Sequence, residues 1–224
     1  MINLRLVIGN CNYSSWSLRP WFYLRHHAIA FETIKISLFT ETMASELAPY
    51  FSDGKVPLLL HDELQVWDSL AILEYLAELF PEKRGWPAER GARAVARSVC
   101  AEMHSSFPDL RSELPMNCRR RFPGFRPTDA AARDIQRVFS VWHYCRQRYG
   151  RNGPWLFGSF SVADCMYAPV VMRLVSYAID MDDLCRAYVD TLYHSAAARE
   201  WITMGQAERE VIQQDEANWP SEPI

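Results

Sequence analysis

The stretch Lys55-Val56-Pro57-Leu58-Leu59, followed after a short hairpin by Asp68-Ser69-Leu70-Ala71-Ile72, decides how this chain is read. Proline has no N–H to give to a ladder, so Pro57 marks the edge of a strand rather than its middle. With a cis Val56–Pro57 bond the chain turns there, and the amide and carbonyl of Val56 face outward, ready to pair with an extended, peptide-like ligand. Asp68-Ser69 opens a helix, where unpaired N–H groups and the positive dipole end favour a carboxylate. The Ser69 hydroxyl suits that carboxylate and Asp68 suits an ammonium, so the pair fits an amino-acid headgroup. Either half alone also reads as a strand-edge proline or a helix cap; the two together predict a ligand site.

Around this stretch, residues 1–80 mix strands and helices. Leu4–Ile8 alternates as a strand, Ser17–His27 has helical spacing, and Phe31–Ile36 alternates again. Thr42–Tyr50 reads as a short helix or turn. Val56–Leu60 and Leu64–Trp67 flank a hairpin, and Ser69–Leu79 is an amphipathic helix. The run 81–87, with two prolines, a glycine and three charges, reads as a linker between domains. Residues 88–224 then read as helical throughout. Helices are predicted over Ala88–Leu114 (with a break or kink at Pro108), Thr128–Tyr149, Ser161–Tyr177, Asp183–Tyr193 and Ala196–Glu208, with a loop over Pro115–Pro127. Ser161-Val162-Ala163-Asp164 has the spacing of a capping box ahead of a helix apolar nearly all round, which is therefore the buried central helix. The fold class is an α/β domain followed by an all-α domain.

Composition narrows the function. The chain has 224 residues, 49% of them hydrophobic, which is ample for a core. Its 24 basic residues against 27 acidic ones leave a net charge of −3, and only Arg119-Arg120-Arg121 forms a basic run. Nucleic acid is therefore excluded as the main partner. No run of apolar residues is long enough to span a bilayer, and the alternating N-terminus reads as a strand rather than a signal peptide. Six cysteines form no CxxC pair and no Cys/His metal spacing, so no metal is expected, and the thiols fit a reduced, soluble, cytoplasmic protein.

These motifs, in this order, resemble the glutathione S-transferase superfamily of the bacterial type. Val56-Pro57 is similar to its cis-proline motif, Asp68-Ser69 to the acid-serine pair that holds the γ-glutamyl group of glutathione, and Ser161–Asp164 to its helical-domain capping box. The resemblance implies a thioredoxin-like domain over 1–80, a linker over 81–87 and an all-helical C-terminal domain over 88–224. It further implies a detoxifying transferase, a homodimer, and glutathione and an electrophile as partners. Tyr13-Ser14-Ser15-Trp16-Ser17-Leu18-Arg19 is similar to the Ser-Ser-Cys-Ser signature of the zeta class, with Trp16 in place of the cysteine. A cis-trans isomerase of the maleylacetoacetate isomerase kind and a non-catalytic binding protein are the alternatives.

The chemistry at Ser14 also follows from its position. A free thiol has a pKa near ~8.5, so a hydroxyl donor at a helix N-terminus, aimed at the sulfur, makes thiolate available at neutral pH. Ser14 lies between the first strand and the first helix, and Ser15 is the alternative donor if the register differs by one. The expected glutathione contacts are Ser14, Ser15, Lys55, Val56, Asp68 and Ser69. Lys55 either pairs with the glycyl carboxylate or is a solvated lysine. Cys11 shares the loop and is a weaker nucleophile candidate. His104, Phe107 and Arg111 recur at one face of the first long helix, which marks His104 and Arg111 for the second-substrate pocket, or the histidine for a structural role. The Arg119–Arg121 run is a candidate attractor for an anionic co-substrate or a solvated loop.

Overall fold

The computed structural model describes residues 3–224. The first half runs β1 (Leu4–Ile8), α1 (Ser15–His26), β2 (Glu32–Lys35), α2 (Met43–Leu47), β3 (Leu58–His61), β4 (Leu64–Trp67) and α3 (Ser69–Leu79). The sheet order is β2-β1-β3-β4, with β1 parallel to β2 and antiparallel to β3. Leu6 lies opposite Leu59 and Val7 opposite Leu58. Alternation along each strand sends these pairs to opposite faces. Leu6, Ile8 and Leu59 join the main core with α1 and α3, whereas Val7, Leu58 and Leu60 pack with Leu47 of α2 on the other side. This is the thioredoxin-like arrangement expected from the sequence.

A 3₁₀ turn over Pro81–Lys83 leads into α4 (Arg90–Ser105), α5 (Pro108–Glu113), the short strand β5 (Arg120–Arg121), α6 (Asp129–Tyr149), α7 (Val162–Ser176), α8 (Asp183–Tyr193), α9 (Ala196–Ala207) and a last strand, β6 (Glu222–Pro223). The long helix expected over Ala88–Leu114 is two helices. Pro108 disfavours α geometry in the residue before it, and Phe107 takes a left-handed φ of 65°. His104 and Arg111 therefore lie on different helices and share no helix face. The segment expected to be a loop contains β5, which pairs with β6 and draws the C-terminal segment back onto the molecule.

The two halves share one continuous core. α1 packs on α3, α7 and α9, with Trp21 meeting Trp201 edge-on at 5.1 Å. Gly85 shows how tightly the connection is clasped: a Cβ there would lie 2.6 Å from the Tyr23 hydroxyl and 2.8 Å from Ala77, while its carbonyl accepts from Val162 N at 2.8 Å. No helix among the described residues is long and apolar enough to cross a membrane.

α7 is buried along nearly its whole length. The Asp164 carboxylate accepts from Ser161 N at 2.8 Å, Ser161 Oγ at 3.1 Å and, from the preceding loop, Leu156 N at 3.1 Å. Burial holds its pKa up at about 6, against the opposing pull of those donors. Removing the carboxylate orphans buried N–H groups, each costing about 1–3 kcal/mol. Asp164→Ala is expected to lower the unfolding free energy by roughly 2–4 kcal/mol in urea titration; a loss below about 1 kcal/mol would mean that the cap is dispensable.

Candidate functional site

The loop after β1 is pinned from several directions. Asn10 O accepts from Ser14 N at 2.8 Å, and its side chain accepts from Leu38 N at 2.8 Å. Glu208, from the end of α9, accepts from Cys11 N at 2.8 Å and Asn12 N at 2.9 Å, and pairs with Lys35 at 2.8 Å. Gly205 lets α9 approach this closely, since a Cβ there would sit 3.2 Å from the Asn12 backbone. Ser14 is thereby set as the N-cap of α1. Its Oγ accepts from Ser17 N at 3.4 Å and lies 2.7 Å from Ser17 Oγ, which itself accepts from Gly9 N at 3.1 Å. Ser15 opens the helix one residue later, and its hydroxyl has no hydrogen-bond partner among the described residues.

Across the cleft, the Val56–Pro57 bond is cis. Neither the amide nor the carbonyl of Val56 has a hydrogen-bond partner among the described residues. Asp68 caps α3: one carboxylate oxygen accepts from Leu70 N at 2.8 Å and Ala71 N at 3.3 Å, and the other lies 3.1 Å from His104 Nε2. Its φ of 72° is a strained conformation of the sort concentrated at functional sites. Ser69 is 1% exposed and accepts from Arg19 Nη1 at 3.1 Å.

Arg19 is the residue that sequence reasoning missed. Its guanidinium is fully buried, lies 4.2 Å from the Trp16 ring centroid and leaves Nε and Nη2 without a partner. Burial, with Arg111 and Arg173 adding repulsion, pushes its pKa down to about 9, so it remains a cation at neutral pH. The available signal was an arginine set between Leu18 and the apolar run Pro20-Trp21-Phe22; arginine is almost never fully buried unless paired.

Trp16 divides the cleft. On one side lies a cavity of about 890 Å³ bordered by Lys55, Val56, Asp68, Ser69 and His104. On the other is one of about 430 Å³ bordered by Ser14, Ser15, Arg111, Arg173 and Asp215. Trp16, Lys55 and Val56 border both. The structure thus brings Ser14 with Ser15, and Asp68 with Ser69, to one continuous cleft. It separates His104 from Arg111: the histidine sits in the larger cavity against Asp68 and edge-on to Trp16 at 5.3 Å. Phe107 borders neither cavity and is buried. Lys55 is largely exposed and pairs with Asp53 at 3.0 Å.

Two other expectations meet a physical obstacle. Cys11 is buried, and that burial, with Glu208 beside it, pushes its thiol up to about 12, so it carries no thiolate at neutral pH. Arg119 donates to Glu208 O at 2.6 Å, Tyr13 Oη at 2.6 Å and Glu210 O at 2.8 Å, and Arg120 donates to Ser221 Oγ at 2.7 Å. These two guanidinium groups are tie points for the C-terminal segment rather than open anion attractors.

Residues 13–79 match the family described as the glutathione S-transferase N-terminal domain. The chain is 26% identical over 182 residues to glutathione S-transferase 1 of Dianthus caryophyllus, covering 80% of each protein. It is 23% identical over 182 residues to a probable maleylacetoacetate isomerase of Caenorhabditis elegans, covering 81% of this chain and 84% of that one. Among solved structures, a Burkholderia glutathione transferase homolog with bound glutathione superposes with a TM-score of 0.68 at 23% identity, over 92% of this chain and 100% of the other. Glutathione transferase Omega 2S of Trametes versicolor gives 0.70 at 18% identity, over 96% and 100%. The fold is that of the glutathione S-transferases.

All six cysteines are buried and unpaired. Titration of the native protein with a chromogenic disulfide at pH 7.5 is expected to find no rapidly reacting thiol, with full reaction only in denaturant. A fast-reacting Cys11, identified by peptide mapping, would return it to the list of nucleophiles.

Proposed function

We propose that this member of the glutathione S-transferase superfamily binds glutathione in the cleft and transfers its sulfur to a small electrophile. The observation that carries the reading is Ser69, held at the N-terminus of α3 by the buried Arg19 cation and facing the cleft that also contains Ser14. A γ-glutamyl carboxylate there receives the Ser69 hydroxyl, the helix dipole and the field of Arg19. Asp68 Oδ2 is the oxygen left for the ammonium, shared with His104. The unengaged backbone of Val56 pairs with the cysteinyl unit, and Lys55 lies within the same cleft for the glycyl carboxylate.

Ser14 is the thiolate donor in this reading. Hydroxyl protons rotate to suit their partners. The Ser14 hydroxyl donates to Ser17 Oγ at 2.7 Å, and rotation about its C–O bond redirects that proton to the sulfur. The thiolate then places its electron pair on the electrophilic carbon. With an activated alkene the π pair moves to the neighbouring carbon and takes up a proton; with an aryl halide the halide leaves with its bonding pair. Neither route needs an oxidant or reductant. The likeness to the Caenorhabditis elegans protein supports a second reading, in which the same addition is followed by bond rotation and loss of the thiolate.

We infer a homodimer as well. Phe51 and Trp67, 73% and 48% exposed, stack edge-on at 5.0 Å beside the larger cavity, an apolar outcrop suited to a partner subunit. Light scattering is expected to give twice the monomer mass at micromolar concentration, and a monomer there would rule the pair out.

Calorimetry with glutathione tests the main reading: Ser69→Ala is expected to weaken binding by about 1–3 kcal/mol. Ser14→Ala is expected to cut turnover roughly tenfold to a thousandfold at neutral pH, the range for losing one stabilising donor. Much of that deficit should vanish above the free thiol pKa of about 8.5, where hydroxide ionises the sulfur without help. Absence of glutathione binding at millimolar concentration would refute the reading, and an unshifted pH profile in Ser14→Ala would transfer the role to Ser15.

A further inference from the structure

The smaller cavity holds a charge imbalance that the binding of glutathione in the larger one leaves unmatched. Arg111 and Arg173 both border it, on α5 and near the C-terminal end of α7. Neither forms an ion pair with a carboxylate among the described residues. Arg173 is 5% exposed and uses one nitrogen, Nη1, to hold Leu114 O at 2.6 Å. Its Nε and Nη2 have no hydrogen-bond partner among the described residues. The residue itself lines the cavity. Arg111 spends Nε on Ser106 O at 2.9 Å and Nη2 on Met103 O, and its guanidinium carbon lies 5.0 Å from the Trp16 ring centroid.

Among the described residues, Asp215 is the one carboxylate that borders the cavity. Burial raises its pKa, with Arg173 acting in the opposite sense, and this one carboxylate faces two guanidinium groups and the exposed Lys55. The arginines also oppose one another, since Arg111 lowers the pKa of Arg173 after burial itself has done so. Buried cations of this kind are normally matched by an anion or a carboxylate partner, because leaving water costs several kcal/mol per ion. The rest of the cavity lining includes Leu38, Phe39, Met43 and Met116, which suit an apolar body.

We propose that the smaller cavity is a subsite for an anionic co-substrate: an electrophile with an apolar or aromatic body and a carboxylate seated against Arg173 and Arg111, its reactive carbon toward Ser14. The co-substrate role rests on the glutathione reading above, but the anion subsite does not. Arginine suits the task because its planar fork presents paired N–H donors to a carboxylate. In the glutathione reading its carboxylates have other partners, Ser69 over Arg19 in the larger cavity and Lys55, which borders both. Hydrophobicity alone would accept many electrophiles; the two cations select among them by charge.

The test is calorimetry with 4-nitrobenzoate and its neutral match 4-nitrobenzamide, first on the protein alone and then with saturating S-methylglutathione. The benzoate is expected to bind about tenfold or more tightly than the amide, the scale of a hydrogen bond to a charged group, and to do so with S-methylglutathione present. Arg173→Met should bring that ratio close to one. Because Arg173 also anchors Leu114, Arg173→Lys and Arg111→Met are measured beside it: the lysine should keep part of the preference and the Arg111 variant should lose part. The specificity constants for 4-carboxy- and 4-carbamoyl-β-nitrostyrene, each divided by its uncatalysed rate, should follow the same ratio. Equal or absent binding of the two ligands by wild type overturns the proposal. So does displacement of the benzoate by S-methylglutathione, which would assign the arginines to glutathione itself, or anion binding without a turnover preference, which would make the subsite inhibitory. A chain that binds 4-nitrobenzoate but no glutathione would sink the transferase reading while leaving the anion subsite standing.

Discussion

The placement of α7 is the constraint on which the rest of the molecule depends. Asp164 fastens its first turn to the preceding loop, and the body of the helix is buried between α1, α4 and α8. Its last turn then organises the chain that walls the cleft: Arg173 holds Leu114 O, Ser176 Oγ donates to Asn117 O at 2.6 Å, and Phe122 N donates to Ser176 O at 2.8 Å. Arg173 sits where the negative end of the helix dipole offsets part of the cost of a buried cation. One element thus secures the helical half, seats α1 of the other half and delivers a charge to the cleft.

That cleft works by holding charge out of water before a ligand arrives. Arg19, Arg111 and Arg173 repel one another, and burial deepens the penalty. The aromatic face of Trp16 takes up part of it, with Arg19 and Arg111 both lying within contact of the ring. A tryptophan at this position therefore does more than replace a thiol. It separates the two cavities while tying together the cations that serve them.

The loop bearing Ser14 is held by distant parts of the chain as well as by its neighbours. Glu208 takes the amides of Cys11 and Asn12, Arg119 donates to the Tyr13 hydroxyl, and Glu216 accepts from that same hydroxyl. The C-terminal segment also supplies Asp215 to the smaller cavity. Residues more than 190 positions away in sequence thereby hold the N-cap of α1 in place.

Local signals in the chain were enough for the elements and for the first outline of the site. Alternation at Leu4–Ile8, the periodicity of Ser69–Leu79 and Asp183–Tyr193, and the motif around Pro57 and Asp68-Ser69 each depend on neighbours within a turn or a hairpin, so they can be read in one dimension. The break at Phe107 was legible as Pro108, though its consequence, the parting of His104 from Arg111, was not. What only the tertiary structure decided is the set of charges: Arg19 beneath Ser69, Arg173 beside Arg111, and Arg119 turned from a presumed anion attractor into an anchor. An arginine in a sequence has the same charge whether solvated, buried or spent on a carbonyl, and which of these it becomes is fixed by the side chains that fold over it.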